Sequence, residues 1–157
     1  MKPELSLSVQ YGVEEARLPR WRLRRWAERA LGAAHEDGLV AFSAAELSLR
    51  LVGAAEGRRL NRDFRGRDYA TNVLTFEYGV DPLGVARGDI VMCVPVLVRE
   101  AREQGKPLLD HAAHLTIHGV LHSLGYDHIK AREAKRMEAL ETATLAQMGI
   151  ADPYVAA

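Results

Sequence analysis

The stretch HAAHLTIHGVLHSLGYDH, residues 111–128, holds five of the six histidines in the chain. His111, His114, His118 and His122 follow one another at spacings of three, four and four. On a helix such residues form one continuous stripe, with His118 and His122 stacked a turn apart. Gly125 comes three residues after His122, and glycine enters the left-handed conformation that ends a helix without a Cβ clash. The helix is therefore expected to stop there and the chain to fold back, bringing His128 toward the other two. The pattern is H-x-x-x-H-x-x-G-x-x-H.

Three neutral imidazoles at this spacing suit one Zn²⁺ ion, which takes nitrogen ligands and prefers four of them. Three protein ligands leave a fourth position open, the mark of a catalytic zinc, and such an ion lowers the pKa of water to about 7. His118, His122 and His128 are the expected ligands. The zinc-peptidase signature H-E-x-x-H puts a glutamate directly after the first ligand as general base. Here that position is Gly119, so the ligand pattern is kept, the base is missing, and a peptidase is disfavoured.

Outward from this segment, hydrophobic periodicity predicts the remaining elements. Leu5, Leu7, Val9 and Tyr11 alternate as a strand over 5–11. A helix follows Pro19 to about residue 34, with Leu23, Trp26, Ala27, Ala30, Leu31 and Ala34 on one face and Arg22, Arg25 and Arg29 on another. Further strands are read at 45–52, 72–78 and 89–94. A short helix over 54–65 is expected to turn Leu60 and Phe64 inward. The intervening GVDPLGVARG, 79–88, carries two turn signals and reads as a loop. Helices are expected over 95–104, 107–124 and 130–148, the last burying Met137, Leu140, Thr144, Leu145 and Met148. The order implies an α+β domain spanning residues 1–157: a mixed four-stranded sheet packed by about five helices, with parallel pairing among early strands and an antiparallel edge.

The 157 residues form one domain by length, and no apolar run approaches a membrane span. One cysteine, Cys93, cannot make an internal disulfide, which fits a cytoplasmic setting. The 21 basic and 21 acidic residues cancel, arguing against indiscriminate nucleic-acid binding. They are unevenly placed: residues 1–67 hold 13 Lys/Arg against 9 Asp/Glu, a weak pointer to a polyanionic partner.

HGVLHSLGYDH (118–128) closely resembles the signature of the YbeY family, bacterial zinc-dependent endoribonucleases of ribosomal RNA maturation. NRDFRGRDYATNVLTF (61–76), GDIVMC (88–93) and MEALETATLAQMGIADPY (137–154) resemble it as well. The resemblance implies zinc at His118, His122 and His128 in a zincin-like helix-turn site. It implies that Arg65, in FRGRD, lies near the metal, where a guanidinium can stabilise charge on a phosphodiester in cleavage. His114, a turn before the first ligand, is a catalytic candidate that would position substrate, shuttle a proton or bond a ligand from behind, with a satisfied structural histidine as the alternative. Asp127 is a candidate to orient a ligand or to stabilise the turn, and Thr71 and Asn72 to line the cleft. The implied substrate is single-stranded 16S rRNA at its 3′ end, with a part in ribosome quality control. The implied partners are the small ribosomal subunit, a ribosomal protein and a ribosome-associated GTPase, with no membrane. Two alternatives stand beside this: a ribosome-assembly factor with a stabilising zinc, and a metal-dependent hydrolase of other substrates.

Overall fold

The structure, a computed structural model, describes residues 2–155. Its elements run β1 (Glu4–Tyr11), α1 (Arg20–Asp37), β2 (Ala44–Val52), α2 (Ala54–Arg65), β3 (Val73–Val80), β4 (Val85–Cys93), α3 (Val94–Glu103), α4 (Leu108–Ser123) and α5 (Ala131–Gln147). The four strands form one mixed sheet in the order β1-β2-β4-β3. β1 pairs with β2 and β2 with β4 in parallel, while β3 pairs antiparallel with β4 and is a free edge. This is the expected α+β domain, five helices on a four-stranded sheet with an antiparallel edge.

Period-two alternation gives each strand one apolar face. Leu47, Leu49 and Leu51 of β2 and Ile90 and Met92 of β4 are nearly inaccessible to water. They pack into the same core as Leu23, Ala27 and Leu31 of α1 and Ile117 and Leu121 of α4. Each buried Leu, Ile or Met side chain among them contributes about 1.5–3 kcal/mol by leaving water. The opposite sheet face is polar: Ser48 bonds Asp89 at 2.5 Å and Arg87 bonds Glu46 at 3.0 Å. The buried face of α1 is the one its sequence periodicity marks. Cys93 is buried, and burial raises its thiol pKa, as suits a structural thiol.

Three expectations need correction. The segment 79–88 is not a loop, because β3 and β4 continue through it as a hairpin. Asp81, Pro82, Leu83 and Gly84 make a tight turn in which the Gly84 N–H donates to Asp81 O at 3.0 Å. Asp first, Pro second and Gly fourth is the preference of a type I turn. The two turn signals mark one turn and, at Glu77–Val80, a register shift in the strand. Second, α1 runs three residues past its expected end, to Asp37, where Gly38 caps it in the left-handed conformation at φ 71°. Third, Phe64 does not point inward but is 60% exposed, and Leu60 is half-buried. The face of α2 that packs is Gly57 and Asn61, whose side chain donates to Tyr69 O at 2.8 Å. That leaves Phe64 on the rim, edge-on to Phe76 with ring centres 5.5 Å apart.

Candidate metal centre

α4 is the central helix, with every residue from His111 to Ile117 buried. It ends as the glycine predicts. Gly125, at φ +107°, donates to His122 O at 3.1 Å, and Tyr126 donates to Leu121 O at 3.1 Å. This is the paired bonding of a Schellman cap. Tyr126 is buried in the core and its hydroxyl donates to Asp37 at 2.5 Å, fixing the turn to the end of α1. The chain then doubles back. Asp127 Oδ1 accepts the N–H groups of His128 at 2.7 Å and Ile129 at 3.2 Å, so Asp127 serves the turn.

The fold-back brings three rings together. Ring centres are 6.2 Å apart for His118 and His122, 5.5 Å for His118 and His128, and 5.7 Å for His122 and His128. Two rings are held from behind. His118 Nδ1 lies 3.0 Å from Glu141 Oε2, and His122 Nδ1 lies 2.5 Å from Thr75 Oγ1. An oxygen partner on one ring nitrogen fixes the tautomer and orientation of a histidine whose other nitrogen meets a metal. That leaves Nε2 of both rings for the triangle, while His128 is exposed and completes it from the turn. Burial, then the neighbouring His118 and His128, lowers the pKa of His122 and favours the neutral ring a metal requires, with Asp127 opposing.

The donor chemistry fits a zinc ion, and the spacing fits it loosely. Nitrogens about 2.0–2.1 Å from a tetrahedral ion would put ring centres roughly 5 Å apart. Among the described residues no group of three or more His, Cys, Asp or Glu is placed closely enough to hold an ion as it stands. The rings must draw inward by up to about 1 Å to reach that tetrahedral spacing.

Glu141 and Thr75 are the residues that sequence reasoning missed. Glu141 is inaccessible to water, on the inward stripe of α5 with Met137, Thr144 and Leu145. Its Oε1 lies 2.7 Å from His114 Nε2 and accepts from the Tyr154 hydroxyl, while Oε2 faces His118. Burial pushes its carboxyl up, but the hydrogen bonds from His114 and His118 outweigh this and hold it at about 2. The carboxylate therefore stays charged. A glutamate interrupting an apolar helical stripe was the signal available in the sequence. Thr75 faces α4 on the edge strand, opposite Ile90.

His114 thus sits behind His118, its ring centre 6.3 Å away and its Nε2 given to Glu141. Arg65, distant in sequence, reaches the same edge: its Nη2 donates to Thr75 O at 2.7 Å, and its guanidinium stands 4.9 Å over the Phe76 ring. The Asn72 side chain donates to Glu100 at 3.1 Å, and its backbone carbonyl accepts from the Cys93 N–H at 2.9 Å. Gly119 faces the sheet, where an added Cβ would come 2.9 Å from Ile90 Cγ2. The position that carries the peptidase glutamate has no room here for a side chain.

Fold and site together define an α+β protein with a histidine-lined helix-turn centre beside the free edge of its sheet. Residues 9–149 match the model of a known family, Endoribonuclease YbeY. The chain is 78% identical to the Endoribonuclease YbeY of Bordetella pertussis over the full length of both. It is 54% identical to that of Alkalilimnicola ehrlichii, covering 97% of this chain and 92% of the other. The fold matches the solution structure of TM1509 from Thermotoga maritima with a TM-score of 0.59 at 22% identity, covering 95% and 99% of the two chains. The chain belongs to the Endoribonuclease YbeY family.

Proposed function

We propose that this endoribonuclease is zinc-dependent and specific for single-stranded RNA, and that it acts in the cytoplasm on 16S rRNA. Its work there is 3′-end maturation, wider rRNA processing and ribosome quality control, on the small ribosomal subunit together with a ribosomal protein and a ribosome-associated GTPase. Family membership supports a nuclease acting on RNA. No helix among the described residues is long and apolar enough to cross a membrane.

One observation carries the metal reading: three imidazoles in a triangle, two of them bonded through Nδ1 to oxygen so that Nε2 is left to the centre. His118, His122 and His128 would hold one Zn²⁺. When bound, the ion supplies Lewis acidity at the scissile phosphate and lowers the pKa of water there. The chain's own residues do the rest. Thr75 and Glu141 hold the His122 and His118 rings. Arg65, with Nη2 given to Thr75 O, places a fixed positive charge at the same strand edge, where it stabilises charge growing on the phosphodiester oxygens. His114 acts through Glu141, keeping that carboxylate oriented and charged toward His118.

The test is His118→Ala. Metal analysis should show the bound zinc gone, and a precursor 16S rRNA fragment should remain uncut while the wild-type protein cuts it. Normal cleavage by a metal-free, folded His118→Ala protein would overturn the mechanism.

A further inference from the structure

We propose that the N-terminal half of α1 is a second RNA-binding surface, apart from the three-histidine centre. On it Trp21 stacks an unpaired base, and Arg22, Arg25 and Arg29 hold the neighbouring phosphates. The inference rests on the reading of the protein as a nuclease of single-stranded RNA.

The first observation is charge. Between residues 17 and 29 the chain has six arginines and one acid, Glu28, although the whole protein is neutral. Two of the six are paired with carboxylates, Arg17 with Glu15 at 2.6 Å and Arg24 with Glu28 at 2.8 Å, while Arg22 donates only to the Arg17 carbonyl at 2.9 Å. Arg22, Arg25 and Arg29 have no carboxylate partner among the described residues. The first turn of α1 carries no acid. Arginines there face the positive end of the helix dipole, an arrangement that weakens the helix.

The second observation is an aromatic ring left in water beside them. Trp21 is 58% exposed, whereas Trp26, five residues on, is 7% exposed and packs in the core. The Arg22 guanidinium lies 4.8 Å over the Trp21 ring. Trp21, Arg22, Arg25 and Arg29 line one hollow of about 390 Å³ that also includes the apolar side chains of Trp26, Met148 and Ile150. Asp110 is the one carboxylate lining it. A hollow that joins an exposed indole to three guanidinium groups matches a nucleotide, whose base has a π-face and whose phosphate takes bidentate arginine. An acidic peptide would use the arginines but has no need of the indole.

The third observation is position. Asp110 opens α4, and His118 lies eight residues along it, which is about 12 Å of helix axis. Single-strand binding folds cover about 4–16 nucleotides, so one RNA strand can lie across both places. The surface thus grips the strand while the histidine centre meets the scissile bond.

The test uses the metal-loaded protein and an unstructured 2′-O-methyl RNA of about twelve nucleotides, a length within the span of one such site. RNA should quench part of the wild-type tryptophan emission, and Trp21→Phe should remove most of that quenching, since the Trp26 that shares the hollow is only 7% exposed. Changing Arg22, Arg25 and Arg29 together to Gln should weaken binding at least tenfold. It should also lower the slope of log K against log salt by about 2, from about 0.7 per phosphate contact on a single strand. Cleavage of an oligomer of about four nucleotides, at the short end of such sites, should stay within twofold of wild type. Cleavage of a long precursor fragment should fall. Unchanged quenching and an unchanged salt slope would overturn the proposal, as would a loss confined to binding of polyglutamate. If neither substrate is cut by the wild-type protein yet the binding differences persist, the nuclease reading fails and this surface stands.

Discussion

Glu141 holds His118 from behind: its Oε2 lies 3.0 Å from the imidazole Nδ1, in a place inaccessible to water. The same carboxylate takes His114 on its other oxygen. A charged carboxylate in this position raises the basicity of a ligand imidazole and fixes its ring, and loss of such a partner typically costs 10–100-fold in metal affinity. Glu141→Gln keeps the volume and removes the charge. Zinc affinity measured by calorimetry against a competing chelator should fall by about 10–100-fold, with the helical circular dichroism retained. An affinity within a factor of two of wild type would show that Glu141 only fills the core.

Arg65 is exposed, yet its side chain is fixed at two points, at Thr75 O and over the Phe76 ring. A preorganised charge at the site of transition-state charge is worth about 10²–10³ in kcat. Arg65→Ala should lower kcat by that order and leave zinc content unchanged. Arg65→Lys should restore little, because lysine's donors all sit on one compact nitrogen and lack the planar fork that bonds Thr75 O on one side and faces phosphate with the other. Loss of zinc in Arg65→Ala would reassign the residue to the scaffold.

The contrast between these two residues shows what a sequence exposes. The three histidines were legible because helical spacing and one glycine are local rules, and the cap at Gly125 obeys them. Arg65 and Thr75 meet the site across the sheet edge, more than forty residues from His118 and His122 in the chain. No periodicity links them, and only the likeness of FRGRD to a known family put Arg65 there. Glu141 was hidden differently. It occupies an inward position of α5, where pattern reading expects an apolar side chain, and its partners lie on another helix. The hairpin at Asp81–Gly84 was lost because Gly and Pro mark turns well but do not say how many residues each turn consumes.

Stability should depend on pH through His111. Burial lowers its pKa, and the hydrogen bond to Glu100 at 2.8 Å only partly opposes this. A histidine whose folded pKa lies below its unfolded value, about 6.5, adds no pH dependence while both states are neutral. As pH falls through the unfolded value the unfolded chain takes up the proton first, so stability drops until the folded pKa is passed. In the metal-free protein His122 shifts the same way and adds to the slope. Urea midpoints should therefore fall between pH 7 and pH 5, about the window set by the histidine reference value. His111→Asn should flatten the fall without abolishing it. A midpoint equally pH-dependent in the variant would mean that burial does not move the His111 pKa from its unfolded value.

Gly119 gives the last expectation, because two opposing effects meet there. Placing alanine in a helix interior in place of glycine gains about 1 kcal/mol in propensity. Against this, the new Cβ would lie 2.9 Å from Ile90 Cγ2, and Ile90 is a β-branched side chain wholly inside the core. Ile90 cannot swing away, since its branched Cβ leaves few rotamers and the neighbouring space is filled. Overpacking of this kind costs about 1–3 kcal/mol, so Gly119→Ala should be neutral to destabilising by up to about 2 kcal/mol. Ile90→Ala removes the opposing methyl, so the double variant should be more stable than the sum of the two single losses. Strict additivity in urea denaturation would mean that α4 shifts along β4 to admit the methyl group. In that event the metal-binding triangle should change as well, and zinc affinity of Gly119→Ala would report it.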